Sequence, residues 1–73
     1  MTIYTKNNCP QCRMTERWLN DQGFEYTEIN TSNDPSALAH VKSLNVRQLP
    51  YVETQDSQWS GYRPERLSKL LKK

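Results

Sequence analysis

Two cysteines, Cys9 and Cys12, are the residues of this 73-residue chain whose type and spacing point most directly to chemistry. A Cys-x-x-Cys pair at the start of a helix that directly follows a strand is typical of a redox centre. At the N-cap, the Cys9 sulfur can accept hydrogen bonds from free N–H groups of the first turn, and the helix dipole adds partial positive charge there. Both effects favour the reactive thiolate.

The positions of the two cysteines also predict an order of reaction. Cys12 falls at the third helical position, where its sulfur can reach Cys9 but is turned toward the body of the protein. We therefore expect Cys9 to attack a substrate disulfide and Cys12 to resolve the mixed disulfide, which leaves a Cys9–Cys12 bond and a reduced substrate. A reductase must then restore the dithiol. Lys6 and Arg13 add positive charge near Cys9.

A metal site is the alternative use of this pair. Zinc takes about four ligands, and the only other Cys or His in the sequence is His40. Because the chain has too few such ligands, a zinc or iron–sulfur site would need a second chain. We expect His40 to be exposed on a second helix. A purely inert pair is also disfavoured, because two cysteines this close cannot staple a fold. The sequence favours redox chemistry and predicts no metal ligand.

The order of the predicted elements is β-α-β-α-β-β-α. Pro10 begins the first helix, which covers about residues 10–22, because proline suits the first helical position. β-rich runs predict strands over 2–6, 49–54 and 58–60, with a turn at 55–57, and Phe24, Tyr26 and Ile29 mark a further strand. Caps and stops predict the remaining helix boundaries: a stop at Gly23, a helix from Asp34-Pro35 to Asn45 and a helix from Pro64. Three apolar stripes accompany the helices: Met14 and Trp18 with Cys12 and Leu19 beside them, then Leu38, Val41 and Leu44, and finally the inward-facing Leu67, Leu70 and Leu71.

This order predicts an α/β fold with a four-stranded mixed sheet flanked by three helices. The first two strands flank a crossover helix long enough to make them parallel, and the last two form an antiparallel hairpin. A chain of 73 residues has room for one domain, which we expect to span residues 1–73.

Composition and charge limit the classes of partner. The net charge is +2, and the basic residues are dispersed until Lys69, Lys72 and Lys73, which suit the last turn of a helix. This pattern gives no support to nucleic-acid binding. No apolar run is long enough for a signal peptide or a membrane span, so we expect a cytoplasmic protein that does not bind membranes.

Three motifs carry a resemblance to a known family. The strand followed by Cys9-Pro10-Gln11-Cys12, and a Leu-Pro pair before a later strand, resemble the thioredoxin superfamily and its short glutaredoxin-sized members. Residues 59–64, Trp-Ser-Gly-Tyr-Arg-Pro, resemble the Trp-Ser-Gly-Phe-Arg-Pro signature of the NrdH redoxins, and residues 47–50, Arg-Gln-Leu-Pro, resemble their loop before the proline. The resemblance covers almost the whole chain and implies a thioredoxin/glutaredoxin-like fold.

The resemblance also implies a cellular role. It implies an electron donor to the large subunit of class Ib ribonucleotide reductase, recharged by the NADPH-dependent flavoenzyme thioredoxin reductase. We expect a monomer with no bound cofactor, so that NADPH acts only through the reductase. In this superfamily the proline corresponding to Pro50 is cis and lies beside the active cysteines, and the backbone of the preceding residue, Leu49, pairs with the bound substrate.

Beside the catalytic Cys9 and Cys12, the candidate partner-binding residues are Lys6, Pro10, Gln11, Arg47, Gln48, Leu49, Pro50, Trp59, Ser60, Gly61, Tyr62 and Arg63. Two alternatives stay open within this set. Trp59 is either a core residue or an interface residue. Arg47 and Arg63 either bind partners or tie the 59–64 loop by hydrogen bonds.

Two positions depart from the NrdH pattern. Pro10 also looks like the Cys-Pro-Tyr-Cys motif of true glutaredoxins, and Tyr62 replaces phenylalanine, so a glutathione-dependent glutaredoxin is the alternative redox function. Such proteins typically carry a Gly-Gly pair and acidic residues before the last helix, where free N–H groups receive a glutathione carboxylate. Here Pro64 removes one donor and the Tyr62 ring adds bulk. We therefore expect poor glutathione binding.

Overall fold

The computed structural model of the chain describes residues 1–71. Its elements are β1 (Thr2–Thr5), α1 (Pro10–Asp21), β2 (Thr27–Asn30), α2 (Pro35–Ser43), β3 (Tyr51–Glu53), β4 (Gln58–Ser60) and α3 (Pro64–Ser68), which continues into a 3₁₀ turn (Lys69–Leu71). This order confirms the predicted β-α-β-α-β-β-α sequence. The predicted placement of Lys72 and Lys73 in the last helical turn lies outside the described residues.

The strands form one mixed sheet in the order β2-β1-β3-β4. β1 is parallel to β2, with Ile3 opposite Glu28, and antiparallel to β3, with Ile3 opposite Val52. β3 and β4 form the predicted antiparallel hairpin, with Val52 opposite Trp59. β1 is therefore a central strand, and the segment that follows it leads directly into α1 at Cys9.

Two apolar clusters cover the two faces of the sheet. Neighbouring residues of a strand point to opposite faces, and Ile3 and Tyr4 accordingly belong to different clusters. The Ile3 cluster includes Leu19 of α1 and Leu67 of α3. The Tyr4 cluster includes Ala37 and Val41 of α2. Helices α1 and α3 thus pack on one face and α2 on the other, which anchors α1 and fixes the position of its first turn.

The helix ends follow their sequence signals. Asp34 caps α2 by accepting the Ala37 N–H at 3.1 Å, and Asn45 ends it with φ of 60°. Gly23 ends α1 with φ of 77°, and the Phe24 N–H donates to the Leu19 carbonyl at 2.9 Å. These bonds satisfy groups that a helix end otherwise leaves unpaired. The predicted stops at Gly23 and Asn45 are confirmed.

The second strand is shorter than its sequence pattern predicts. Its first residue, Thr27, pairs with Thr2, which is also the first residue of β1. Phe24 and Tyr26 precede this point and have no β1 partner. They pack instead against the edge of the Ile3 cluster, and the Phe24 ring stacks on Trp18 with centroids 6.0 Å apart.

Several leucines predicted to line the apolar stripes lie at the surface. Ala37 and Val41 form the buried row of α2, while Leu38 and Leu44 are 37% and 45% exposed. Ala37 and Val41 are one helical turn apart and face the sheet, whereas Leu38 and Leu44 lie on either side of this row. Leu71 is 52% exposed, because the tighter 3₁₀ turn that begins at Lys69 rotates it away from the core.

Candidate active site

The first turn of α1 brings the two cysteines together. Cys9 is the N-cap, with extended φ and ψ of −120° and 95°, and it is joined to Cys12 by a disulfide with the two Cα atoms 5.3 Å apart. The Cys12 N–H donates to the Cys9 Sγ at 3.1 Å. A free N–H at a helix start therefore points at the sulfur that sequence reasoning identifies as the nucleophile. The pair forms a disulfide within one helical turn.

Access to the two sulfurs depends on surface clefts. Cys9 and Cys12 are 5% and 3% exposed, so exposure alone barely distinguishes them. Cys9 lines two clefts. We call the first the acidic cleft, which also contains Cys12, Glu16 and Glu28. We call the second the proline-side cleft, which also contains Leu49 and Gln48.

The proline loop lies directly against Cys9. The Leu49–Pro50 peptide bond is cis, as the resemblance implies. The Cys9 Sγ is 3.6 Å from the Leu49 carbonyl oxygen, and Pro50 is buried. Leu49 is half-buried at the wall of the proline-side cleft. A substrate sulfur that reaches Cys9 through this cleft therefore passes the Leu49 backbone.

Basic side chains surround the openings to Cys9. Lys6 lines both clefts, Arg13 lines the acidic cleft and Arg47 lines the proline-side cleft. All three are exposed. Positive charge of this kind favours the thiolate form of a nearby cysteine.

One glutamine side chain connects the three sequence motifs. The Gln11 Oε1 accepts from the Gln48 Nε2 at 3.1 Å and from the Tyr62 N–H at 3.1 Å. A further bond runs from the Gly61 N–H to the Pro50 carbonyl at 2.7 Å. The start of α1, the 47–50 loop and the 59–64 loop are thus held as one surface around Cys9.

The candidate partner-binding residues differ in exposure. The exposed residues are Lys6, Pro10, Arg47, Gln48 and Arg63. The half-buried residues are Gln11, Leu49, Ser60 and Tyr62. The buried residues are Pro50, Trp59 and Gly61. The structure brings most of this set to the two sides of Cys9.

Trp59 departs from the predicted partner-binding surface. It is 5% exposed and belongs to the Ile3 cluster with Val52 and Leu67. Its position in β4, opposite Val52, points the ring into the core. Among the alternatives for this residue, the structure favours the core, so Trp59 supports the 59–64 loop from beneath.

The two arginines have different surroundings. The Arg63 Nε donates to the Ser60 carbonyl at 2.9 Å, which ties the 59–64 loop. Arg63 also lies 3.8 Å from a carboxylate oxygen of Glu65. Arg47 remains exposed at the proline-side cleft. The geometry therefore favours a loop-tying role for Arg63, whereas Arg47 makes no such bond in the described structure and stays a candidate for partner binding.

Sequence reasoning did not identify Met14 as a site residue. It is 49% exposed and lines a third cleft with Gln11, Gly61 and Tyr62. The apolar spacing of α1 groups Met14 with Trp18, but Trp18 is half-buried and Met14 is not. An exposed, flexible apolar side chain beside a redox centre suits contact with a partner. Its position one turn from Gln11 is the signal that could have found it.

Two glutamates of the acidic cleft were also missed. Glu16 is half-buried, and burial raises its pKa to about 7, with the charge of Glu28 acting in the same direction. The Thr5 Oγ1 donates to the Glu28 Oε2 at 2.9 Å. Glu16 lies four residues after Cys12, which on a helix places both side chains on one face. That spacing is the sequence signal that could have placed Glu16 beside Cys12.

The described residues contain neither a metal-binding cluster nor a membrane-spanning helix. Within residues 1–71, no group of three or more His, Cys, Asp or Glu side chains is arranged to hold a metal ion. His40 is exposed on α2, as predicted, and its Nε2 lies 3.4 Å from a Glu53 carboxylate oxygen. No helix in the described part of the chain is long and apolar enough to cross a membrane.

Comparison with known proteins agrees with this geometry. A family model for glutaredoxins matches residues 1–58. The glutaredoxin-like protein NrdH of Salmonella typhimurium is 41% identical over 70 residues, covering 96% of this chain and 86% of that protein. The NrdH of Lactococcus lactis subsp. cremoris is 37% identical over 70 residues, covering 96% of this chain and 97% of that protein.

Solved structures show the same relationship. NrdH-redoxin from Escherichia coli superposes with a TM-score of 0.90 at 40% identity, covering 94% of this chain and 91% of that chain. A glutaredoxin from Archaeoglobus fulgidus superposes with a TM-score of 0.82 at 23% identity, covering 99% of this chain and 85% of that chain, which shows a shared fold alone. The chain therefore belongs to the NrdH redoxins, glutaredoxin-like redox proteins of the thioredoxin fold.

Proposed function

We propose that this chain is a protein-disulfide reductase that donates electrons to the large subunit of class Ib ribonucleotide reductase. Thioredoxin reductase restores its dithiol at the expense of NADPH. The protein acts as a monomer of one domain, residues 1–73, in the cytoplasm, and holds no bound cofactor. The observation that carries the proposal is the position of the Cys9 sulfur, which accepts the Cys12 N–H and lies beside the Leu49 carbonyl.

The reaction proceeds by two thiol–disulfide exchanges. The Cys9 thiolate attacks one sulfur of the partner's disulfide, forms a mixed disulfide and displaces the second partner sulfur as a thiolate, which takes a proton. Cys12 then loses its proton and attacks the Cys9 sulfur. The Cys9–Cys12 bond forms, the remaining partner sulfur leaves as a thiol, and two electrons have passed to the partner.

Partner binding uses the surface on both sides of Cys9. The half-buried Leu49 presents its backbone to an extended partner segment, and Gln48 and Pro10 border the same proline-side cleft. Lys6 and Arg47 supply positive charge at its rim, which favours a partner segment with acidic residues. The 59–64 loop, held by Gln11, extends this surface on the other side.

The 59–64 loop supports one choice of reductant over the other. Glutathione binding of the glutaredoxin type needs free backbone N–H groups before the last helix. The Tyr62 N–H already donates to Gln11, and Pro64 has no N–H to offer. The relative from Escherichia coli is described as a glutaredoxin-like protein with a thioredoxin-like activity profile. These observations support reduction by thioredoxin reductase in preference to glutathione.

A coupled assay tests the proposal. The protein is supplied with NADPH and thioredoxin reductase without glutathione, and separately with NADPH, glutathione and glutathione reductase, with insulin disulfides as the acceptor. We expect rapid NADPH consumption in the first system and little in the second. Equal rates in the two systems would support the glutathione-dependent alternative. A second assay uses class Ib ribonucleotide reductase as the acceptor, and failure to sustain its turnover would exclude the proposed partner.

A further inference from the structure

The resolving cysteine shares its cleft with a carboxyl group. Cys12 and Glu16 are four residues apart on α1 and both line the acidic cleft. Residues at this spacing lie one above the other on a helix face. Cys12 is 3% exposed, so its thiol has little direct contact with solvent to which it can release a proton.

Glu16 has an unusual environment for a carboxyl group near the surface. Its Oε2 is buried and has no hydrogen-bond partner among residues 1–71. Glu28, on the neighbouring strand β2, lines the same cleft and is fixed by the hydrogen bond from Thr5. The negative charge of Glu28 opposes ionisation of Glu16 and so favours the protonated form of the Glu16 carboxyl group.

Other charged and titratable groups face Glu16 and Glu28 from three parts of the chain. Arg13 of α1 and Lys6, which follows β1, line the same cleft. Tyr26, which precedes β2, is close enough for the charge of Glu16 to contribute to raising the pKa of its phenol. Arg13 and Lys6 bring positive charge to the cleft, whereas burial and the charge of Glu28 oppose ionisation of Glu16. The raised pKa of Glu16, about 7, has burial as its largest cause and Glu28 as the next.

We propose that the Glu16–Glu28 pair accepts the proton that Cys12 must lose before it resolves the mixed disulfide. This inference rests on the proposed roles of Cys9 and Cys12. The Cys12 thiol gives its proton to the pair, the resulting thiolate attacks the Cys9 sulfur, and the partner sulfur leaves. When thioredoxin reductase later reduces the Cys9–Cys12 bond, the pair returns the proton to Cys12. No electron passes through the carboxyl groups.

The titration of Glu16 suits this task. A base that works at neutral pH is most effective when its own pKa lies near the working pH. An ordinary glutamate, with a pKa of 4.5, is a weaker proton acceptor for a thiol. The pair is thus a stronger acceptor for Cys12 than a single exposed carboxylate at the same position.

The experiment follows the two exchanges separately. The fully reduced, full-length protein is mixed with an equal amount of 5,5′-dithiobis(2-nitrobenzoic acid), and the coloured thiolate is recorded by stopped flow from pH 5.5 to 8.5. The first release reports the attack by Cys9. The second reports the attack by Cys12, which is intramolecular and independent of protein concentration.

Three variants give the comparison. For Glu16→Gln we expect an unchanged first release, and at pH 7.5 a second release slowed by about tenfold or more. Its pH profile should also lack the inflection near pH 7 that we expect for the wild type. Glu28→Gln keeps Glu16 but removes its neighbouring charge, so the inflection should move to lower pH. Glu25→Gln, at an exposed position outside the acidic cleft, serves as the matched control with both releases unchanged.

The outcomes are distinguishable. A second release that keeps its rate and pH profile in Glu16→Gln overturns the inference, and so does an equal slowing of both releases, which would assign Glu16 a structural role. If Glu16→Gln does not fold, Glu28→Gln tests the inference: an inflection that moves to lower pH supports it, and an unchanged inflection overturns it. A wild-type protein that releases only one thiolate would instead refute the proposed resolving role of Cys12.

Discussion

Gln11 and Tyr62 are joined by a hydrogen bond in which the Tyr62 backbone N–H donates to the Gln11 Oε1 at 3.1 Å. The same oxygen accepts from Gln48. One side chain of the Cys-x-x-Cys motif therefore holds the 59–64 loop and at the same time occupies a backbone donor of that loop. Under the proposed function, this bond links the shape of the partner-binding surface to the choice of reductant.

The first prediction concerns Gln11→Ala. Loss of both hydrogen bonds leaves the 59–64 loop less firmly held, and we expect a decrease of about 1–2 kcal/mol in the free energy of unfolding. Turnover with thioredoxin reductase should fall several-fold, whereas the chemical reactivity of Cys9 toward a small disulfide should not change. The measurements are urea denaturation, the coupled assay and the stopped-flow reaction. The control is Gln22→Ala, at the exposed C-cap of α1. An equal loss of turnover in both variants would contradict the prediction.

The second prediction compares two glycines with positive φ. Gly61 has φ of 85°, and a Cβ there would lie 3.2 Å from the Gln48 Oε1, whereas Gly23 has φ of 77° with nothing within 4 Å of its Cβ. Both alanine variants should lose about 1–2 kcal/mol of stability from backbone strain. Gly61→Ala should in addition push Gln48 away from Gln11 and reduce turnover with thioredoxin reductase. Melting curves and the coupled assay check this, and equal turnover of the two variants would show that the Gln48 contact has no functional effect.

The third prediction concerns the order of the cysteines. Cys12→Ser retains a nucleophile at Cys9 but lacks the resolving thiol, so it should accumulate a mixed disulfide with its partner. Cys9→Ser should accumulate almost none, because Cys12 lacks the N-cap position, where a free N–H points at the sulfur. Non-reducing gels and mass spectrometry of each variant, after incubation with oxidised partner, measure the adduct. Comparable trapping by both variants would reverse or remove the assigned order.

The fold could be predicted because its signals are local. Pro10 and Asp34-Pro35 start the first two helices and Gly23 and Asn45 end them, each through the conformation of its own backbone. The parallel pairing of β1 and β2 followed from the length of the crossover between them, whereas the order of the four strands in the sheet was not predicted. The ends of the strands were less predictable, because they depend on the register with β1, and the exposure of Leu71 depends on a change to 3₁₀ geometry that no residue signals.

The site could be predicted only in part. Cys9 and Cys12 were identified from their spacing and their place at a helix start, which are properties of the chain itself. The contact between Cys9 and Leu49 joins residues 40 positions apart, and only the resemblance indicated it. Glu28 reaches the acidic cleft through the parallel pairing of β2 with β1, so its approach to Glu16 is a tertiary property.

The last prediction concerns the pH dependence of stability. In the folded protein the pKa of Glu16 is raised from 4.5 to about 7, mainly because the carboxyl group is buried and then because of Glu28. Between these two pH values the folded state binds more protons than the unfolded state, so the free energy of unfolding falls as the pH rises through this window. The contribution is fully present below about pH 4.5 and lost above about pH 7. With allowance for solvent screening, we expect it to be about 1 kcal/mol.

Glu16→Gln removes this titration because an amide does not ionise. Urea denaturation of the oxidised protein from pH 4.5 to 8 should show a weaker decline in stability for Glu16→Gln than for the wild type, and greater stability than the wild type above pH 7. Glu25→Gln should keep the wild-type slope, since its carboxylate is exposed. If Glu16→Gln and the wild type decline in parallel, Glu16 titrates as an ordinary surface carboxylate. Because the same proton is the one that the pair is proposed to exchange with Cys12, such a result would also remove the basis for the slow second release in that variant.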